Sequence, residues 1–202
     1  MAIEFRTSKT RENLMKAYAG ESQARNRYTI AAEKAALEEL YAISQVFLFT
    51  ADQERAHAQR YYELLEPVSG ESVRICGDYP VDSQEETLLQ LQAAIHNEFA
   101  EFEKIYPTFG DIAKQEGMYE AASAFYQIAE IEKIHGERFK KLADMLKNGT
   151  YFEVPEECKW MCLNCGHIHI GKKVPGICPV CRHSKGYFIP LELAPFIASD
   201  MG

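Results

Sequence analysis

Glu54-Arg55-Ala56-His57 and Glu132-Lys133-Ile134-His135 set a carboxylate and an imidazole three residues apart, in two stretches whose apolar residues recur at helical spacing. Residues three apart on a helix lie roughly 5–6 Å from each other on one face, so each pair can offer an oxygen and a nitrogen to one place. Around the first pair the stripe reads Ile43, Phe47, Thr50, Glu54, His57, Tyr61, Leu64. Around the second it reads Phe125, Ile128, Glu132, His135, Phe139, Leu142, Leu146. Two further stripes carry the same interruption: Leu14, Ala17, Tyr18, Glu21, Ala24, Tyr28, Ala31, and Leu88, Leu91, Ile95, Glu98, Phe102, Ile105, with Glu101 beside Glu98. Glu21 precedes Glu54 by almost the interval at which Glu98 precedes Glu132, so the chain reads as two helical hairpins related by a pseudo-two-fold axis. A single Glu-x-x-His on a helix is ordinarily a solvated face. Two at matched positions, each midway along an apolar stripe, point to a site.

Burying an ionised carboxylate without a partner costs several kcal/mol, and Lys and Arg are not interleaved on these stripes at the same level. Two divalent cations nearly neutralise the five carboxylates of Glu21, Glu54, Glu98, Glu101 and Glu132. One Glu from each of two helices, with Glu-x-x-His from each of the other two, is the donor set of di-iron carboxylate bundles. Mixed carboxylate and imidazole ligation suits iron or manganese better than calcium, which prefers oxygen alone.

The chain around these residues is rich in Ala, Leu, Glu, Gln, Lys and Arg, good helix formers, from Ser8 to about Leu146. The spacing predicts helices over about 8–36, 40–66, 84–106 and 118–147, with a short helical piece near 109–116. Thr7 or Ser8 caps the first, Pro107 ends the third, and Asn148-Gly149 stops the last. The connection 67–83 suits a crossover between hairpins better than a tight turn. Past Gly149 the helix formers give way to Cys, Gly, Pro and aromatic residues. The division is therefore a helical domain over 1–150 and a small one over 151–202, too short for a large core and expected to need a metal.

Cys162-Leu-Asn-Cys165 and Cys178-Pro-Val-Cys181 are the two knuckles of a tetrahedral tetrathiolate site. Spacing alone leaves zinc and iron equal; the neighbouring redox-capable di-metal domain favours iron, which passes one electron at a time. Cys76 and Cys158 stand outside the pattern and read as structural or incidental. His167, His169 and His183 read as loop residues rather than ligands.

The formal charge of −8 argues against nucleic acid as the main partner. No apolar run approaches the length that spans a bilayer, and the first residues lack the layout of a signal peptide, so a cytoplasmic protein without membrane contact is expected. Six cysteines in such a chain are thiols or metal ligands sooner than disulfides.

Together these residues resemble the rubrerythrins, over nearly the whole chain: a ferritin-like four-helix bundle, mainly α, followed by a small rubredoxin-like β/loop module. The resemblance implies that Glu21, Glu54, Glu98, Glu101, Glu132 and His135 ligate two non-haem iron ions in the oxidised state, with Glu54 and Glu132 bridging. It also implies that His57 replaces Glu101 on one iron when the site is reduced, so that His57 and Glu101 carry the catalytic exchange. Ala24 occupies the place in the first helix that corresponds to Glu101, which makes the two irons inequivalent. Tyr28 and Tyr106 fall where the family has tyrosines that hydrogen-bond ligand carboxylates. Cys162, Cys165, Cys178 and Cys181 would hold a third iron ion.

The implied activity is a peroxidase that reduces hydrogen peroxide to water in protection against oxidative stress, with electrons relayed through the tetracysteine iron. No dinucleotide-binding fingerprint is present, so an NAD(P)H-linked electron-donor reductase, or a rubredoxin, must be a separate protein. A helix of such length measures roughly 40 Å, and a head-to-tail homodimer would bring one chain's tetracysteine iron to the partner's di-iron site. Three other functions compete. A ferroxidase or iron-storage protein shares the bundle but has no need of the thiolate module. A di-iron oxidase needs an organic-substrate pocket. A redox sensor would hold metal with negligible turnover.

Overall fold

The computed structural model describes residues 3–195. Helices α1 (Lys9–Leu37), α2 (Tyr41–Glu63), α3 (Thr87–Ala100), α4 (Tyr106–Gln115) and α5 (Tyr119–Lys147) precede strands β1 (Glu153–Cys162), β2 (Ile168–Lys173) and β3 (Phe188–Pro190). The class is the expected one, mainly α with a small C-terminal sheet. Two compact units share the long helices: one takes residues 3–27, 50–82 and 93–137, the other 28–49, 83–92 and 138–195. No helix among the described residues is long and apolar enough to cross a membrane.

The helix ends follow local chemistry. The Ser8 hydroxyl accepts the Arg11 N–H at 3.0 Å and so caps α1. A second acceptor comes from far along the chain: the Glu116 carboxylate receives the N–H of Lys9 at 2.9 Å and of Thr10 at 2.8 Å, and the Thr10 hydroxyl at 2.6 Å. Helix α3 starts at Thr87, later than the spacing predicts, where the Thr87 N–H donates to Glu38 Oε1 at 2.6 Å. At the end of α5, Gly149 takes φ +69° and Thr150 N–H reaches back to the Met145 carbonyl at 2.8 Å, the stop that Asn148-Gly149 predicts.

The third helix departs from expectation. It does not end at Pro107; a π-helical turn, Glu101–Ile105, carries it into α4. Tyr106 precedes a proline and nevertheless keeps φ −71° and ψ −38°, with its N–H bonded back to the Glu101 carbonyl. Pro107 then sits in the first turn of α4, a position that tolerates proline. The extra residue in that turn rotates the following side chains by about one helical position. Ile105, expected on the buried stripe, is 37% exposed, and Tyr106 takes the core position at 1%.

In the first unit, segments of α1, α2, α4 and α5 pack Leu14, Ala17, Tyr61, Tyr106, Phe125 and Ile128 into one core. Each such large side chain contributes roughly 1.5–3 kcal/mol by leaving water, which helps to offset the desolvation of the carboxylates beside it. In the second unit, Tyr28, Phe47 and Phe139 form an aromatic cluster with ring centroids 5.1–6.0 Å apart. Its sheet is antiparallel in the order β2-β1-β3. Trp160, Cys162, Val174, Cys178 and Phe188 fill the small core of that sheet. Two of its buried polar side chains bond to the backbone: Trp160 Nε1–H donates to the Gly171 carbonyl at 2.9 Å and the Tyr151 hydroxyl to the Phe188 carbonyl at 3.3 Å.

Candidate metal centres

Glu21 on α1, Glu54 and His57 on α2, Glu98 on α3, and Glu132 and His135 on α5 converge in the first unit, and all six are buried. They form two overlapping groups of potential metal donors: Glu21, Glu54, His57 and Glu132, and Glu54, Glu98, Glu132 and His135. Within each group the donor atoms lie within 4.8 Å of one another. Glu54 and Glu132 belong to both. His57 Nδ1 lies 3.0 Å from Glu54 Oε2, 3.0 Å from Glu132 Oε1 and 3.9 Å from Glu21 Oε2. His135 Nδ1 lies 3.0 Å from Glu54 Oε1, 2.9 Å from Glu132 Oε2 and 3.6 Å from Glu98 Oε2. The two imidazoles face each other with centroids 5.8 Å apart and planes within 19°. The internal symmetry read from the sequence is thus a symmetry of donor atoms.

Several of these atoms approach without making hydrogen bonds. Glu21 Oε2, Glu54 Oε1, both oxygens of Glu132 and His135 Nδ1 are buried and unpaired among the described residues. Lone pairs that crowd to about 3 Å without donor–acceptor alignment are aimed at a common point, as ligands of a cation are. The donor set, carboxylates with one imidazole per group, fits iron or manganese. Packed so closely, these groups shift one another's ionisation. Burial, then Glu132 and Glu54, push the Glu21 carboxyl well above its usual range, and burial likewise takes Glu98 up to about 8. Glu54 is held at about 2 in spite of its burial, by His135 and His57. Burial disfavours a charged His57, yet Glu132 and Glu54 raise it to about 9, and His135 is raised by the same kind of contacts.

The groups behind the donors fix their orientation. The Tyr106 hydroxyl donates to Glu21 Oε1, as its position predicts. The Tyr28 ring packs on Phe47 and Phe139. His135 Nε2 lies 3.1 Å from Gln53 Oε1; with the proton on Nε2, Nδ1 is left to bind a metal. Sequence reasoning did not find Gln53, whose partner is on another helix. Among the described residues Glu101 belongs to neither donor group. It is half-buried at the start of the π turn, its carboxyl pushed well above the usual range by burial and then by Glu98, Glu132 and Glu54.

In the second unit Cys162, Cys165, Cys178 and Cys181 come together. Cys162 and Cys181 Sγ are 3.7 Å apart, as are Cys165 and Cys178 Sγ. A tetrahedron with metal–sulfur bonds of about 2.3 Å has edges of roughly 3.8 Å, so the quartet fits a tetrathiolate ion. The two knuckles repeat one backbone pattern. Cys162 N–H bonds to the His167 carbonyl at 2.9 Å and Cys178 N–H to the His183 carbonyl at 2.8 Å. Gly166 N–H returns to Cys162 O at 2.8 Å and Arg182 N–H to Cys178 O at 3.0 Å. Both turns need a left-handed residue, Gly166 at φ +76° and Arg182 at φ +66°. Burial pushes the metal-free Cys162 thiol up to about 12, whereas the His183 N–H and neighbouring thiols bring Cys181 to about 5. Cys76 is exposed and Cys158 half-buried, and neither is in the quartet.

Known proteins match the chain across both of these regions. The family model described as Rubrerythrin matches residues 12–143, and that described as Rubrerythrin, rubredoxin-like domain matches residues 160–189. The chain is 44% identical over 182 residues to the rubrerythrin of Clostridium perfringens, covering 90% of this chain and 93% of that one. It is 40% identical over 192 residues to the rubrerythrin of Porphyromonas gingivalis, covering 95% and 94%. The structure of nigerythrin in its fully reduced, all-ferrous state superposes with a TM-score of 0.61 at 27% identity, over 91% of this chain and 90% of that one.

Proposed function

The chain belongs to the rubrerythrin family, with a di-iron carboxylate site and a rubredoxin-like tetracysteine site, and we propose that it reduces hydrogen peroxide to water at the first with electrons passed through the second. The observation that carries this reading is that Glu54 and Glu132 each turn one oxygen towards His57 and the other towards His135. Two carboxylates so placed would suit a pair of ions, and a pair of ferrous ions can supply the two electrons that reduction of peroxide takes.

Glu54 and Glu132 would bridge the two ions, with Glu21 and His57 completing one and Glu98 and His135 the other. Bound iron would supply one electron from each ion to the peroxide. The protein's part is to hold, shield and protonate. Burial of the six donors excludes bulk water. Tyr106 fixes Glu21, and Gln53 sets the tautomer of His135. Glu101, half-buried beside the donors at the start of the π turn, would give a proton to departing oxygen and exchange with His57 as the family pattern implies. Two electrons and two protons with one peroxide give two waters.

The proposed division is a di-iron domain over 1–150 and a tetracysteine domain over 151–202; family matches over 12–143 and 160–189 support two parts. Electrons would enter from a separate NAD(P)H-linked reductase or rubredoxin and cross in a head-to-tail homodimer, in the cytoplasm, as part of an oxidative-stress response. The test is to reduce the iron-loaded protein anaerobically, mix it with hydrogen peroxide or dioxygen, and follow the thiolate-to-iron absorption. Fast recovery with peroxide and slow recovery with dioxygen is expected. Faster recovery with dioxygen would favour ferroxidase, storage or oxidase chemistry, and absence of the band in iron-supplied protein would end the relay.

A further inference from the structure

Tyr61 is a buried polar side chain that neither centre accounts for. It is fully buried, and its hydroxyl has no hydrogen-bond partner among the described residues, a state that folded proteins ordinarily avoid. It follows His57 by one helical turn and Glu54 by two, on the same face of α2. Helical side chains lean towards the N-terminus, so the Tyr61 ring leans back over the level of those two donors. Its ring is wedged there by Tyr106 at 5.6 Å and Phe125 at 5.1 Å between centroids. Tyr106 has its own hydroxyl committed to Glu21, which leaves Tyr61 as the free donor of the pair.

Packing alone does not explain the hydroxyl, because phenylalanine would fill the same space without a polar atom to bury. Burial, then Glu21, Glu132, Glu101 and Glu54, push its ionisation well above the ordinary phenol range, so it remains an O–H donor. Its position one turn beyond His57 on α2, against the Tyr106 ring that bonds Glu21, puts Tyr61 at the margin of the cluster. We infer that Tyr61 donates a hydrogen bond to the small oxygen ligand of the di-metal centre, whether water, hydroxide or peroxide. The inference rests on the di-metal reading above and adds a residue that helps to bind and orient that ligand.

Azide is a suitable probe, since it accepts a hydrogen bond and its charge-transfer absorption reports binding to oxidised iron. The full-length wild type and Tyr61→Phe are loaded with iron, oxidised and titrated with azide, with iron content measured on the same samples. Azide affinity is expected to fall about tenfold in Y61F at unchanged iron content, the worth of one hydrogen bond; equal affinity overturns the inference. Metal-free Y61F is expected to melt no lower than metal-free wild type, because no protein partner loses a bond. A lower melting temperature reveals such a partner and also overturns it. If wild type takes up no iron in the bundle, the di-metal reading falls and takes this one with it; normal iron with unchanged azide affinity removes the Tyr61 role alone.

Discussion

The Tyr106 hydroxyl donates to Glu21 Oε1 across 2.5 Å, and both residues are buried to 1% exposure or less. Tyr106 reaches Glu21 because the π turn of Glu101–Ile105 advances it into the core, where a regular helix would have put Ile105.

Removing that donor should weaken the metal site without unmaking the bundle. Tyr106→Phe keeps the ring and its contacts with Tyr61 and Phe125 and leaves Glu21 Oε1 unpartnered. Hydrogen bonds to ligands from behind are worth about 10–100-fold in metal affinity. Competitive titration of iron(II) or manganese(II) against a chelator should show at least a tenfold loss in Y106F. A loss under twofold would mean that Glu21 is oriented by other contacts.

The shared carboxylates should behave differently from the unshared ones. Glu132 offers one oxygen to the His57 group and one to the His135 group, whereas Glu98 belongs to the second group alone. Glu132→Gln should therefore weaken both ions, and Glu98→Gln chiefly one. Metal analysis after equilibration at limiting free metal should find fewer ions retained in the bundle of E132Q than of E98Q. Equal loss in the two variants would speak against bridging.

In the tetracysteine module Arg182 occupies the left-handed position that Gly166 takes in the matching knuckle. A non-glycine residue there costs about 1–2 kcal/mol, offset in part by the lower chain entropy it surrenders on folding. Arg182→Gly should stabilise the module by roughly 0.5–1 kcal/mol, and Gly166→Ala should destabilise it by a similar amount. The rate at which a chelator bleaches the iron–thiolate colour measures both, slower for R182G and faster for G166A.

How much of this was legible in the sequence depended on how local each signal is. The carboxylate-interrupted stripes and the paired Cys-x-x-Cys knuckles have their meaning within a few residues, and the structure brings Glu21, Glu54, His57, Glu98, Glu132 and His135 into one cluster and the four cysteines into another. Pro107 was the opposite case. Its local signal to end a helix was outweighed by the burial of Tyr106, and only the π turn reconciles the two. Gln53 and Tyr61 lay beyond reach for another reason. Gln53 acts on a histidine of a different helix, and Tyr61 on an apolar stripe looks like any core aromatic until its hydroxyl is found without a partner.

Glu116 joins the end of α4 to the start of α1 and gives the fold a pH dependence of known sign. Although its partial burial opposes ionisation, the Thr10 hydroxyl and the N–H groups of Lys9 and Thr10 hold its carboxyl below the ordinary value of 4.5. A carboxylate with a lowered folded-state pKa binds fewer protons folded than unfolded. Its contribution is therefore complete above pH 4.5 and is lost as pH falls towards the folded-state value. Glu116→Gln keeps one acceptor but loses the charge at the helix N-terminus, and should cost about 1 kcal/mol near neutrality. Denaturation of the wild type and E116Q from pH 7 to pH 3 should show that difference shrinking below pH 4.5, while other carboxylates, common to both proteins, cancel. A difference that stays constant with pH would locate the effect in packing, and one that grows on acidification would reverse the sign of the linkage.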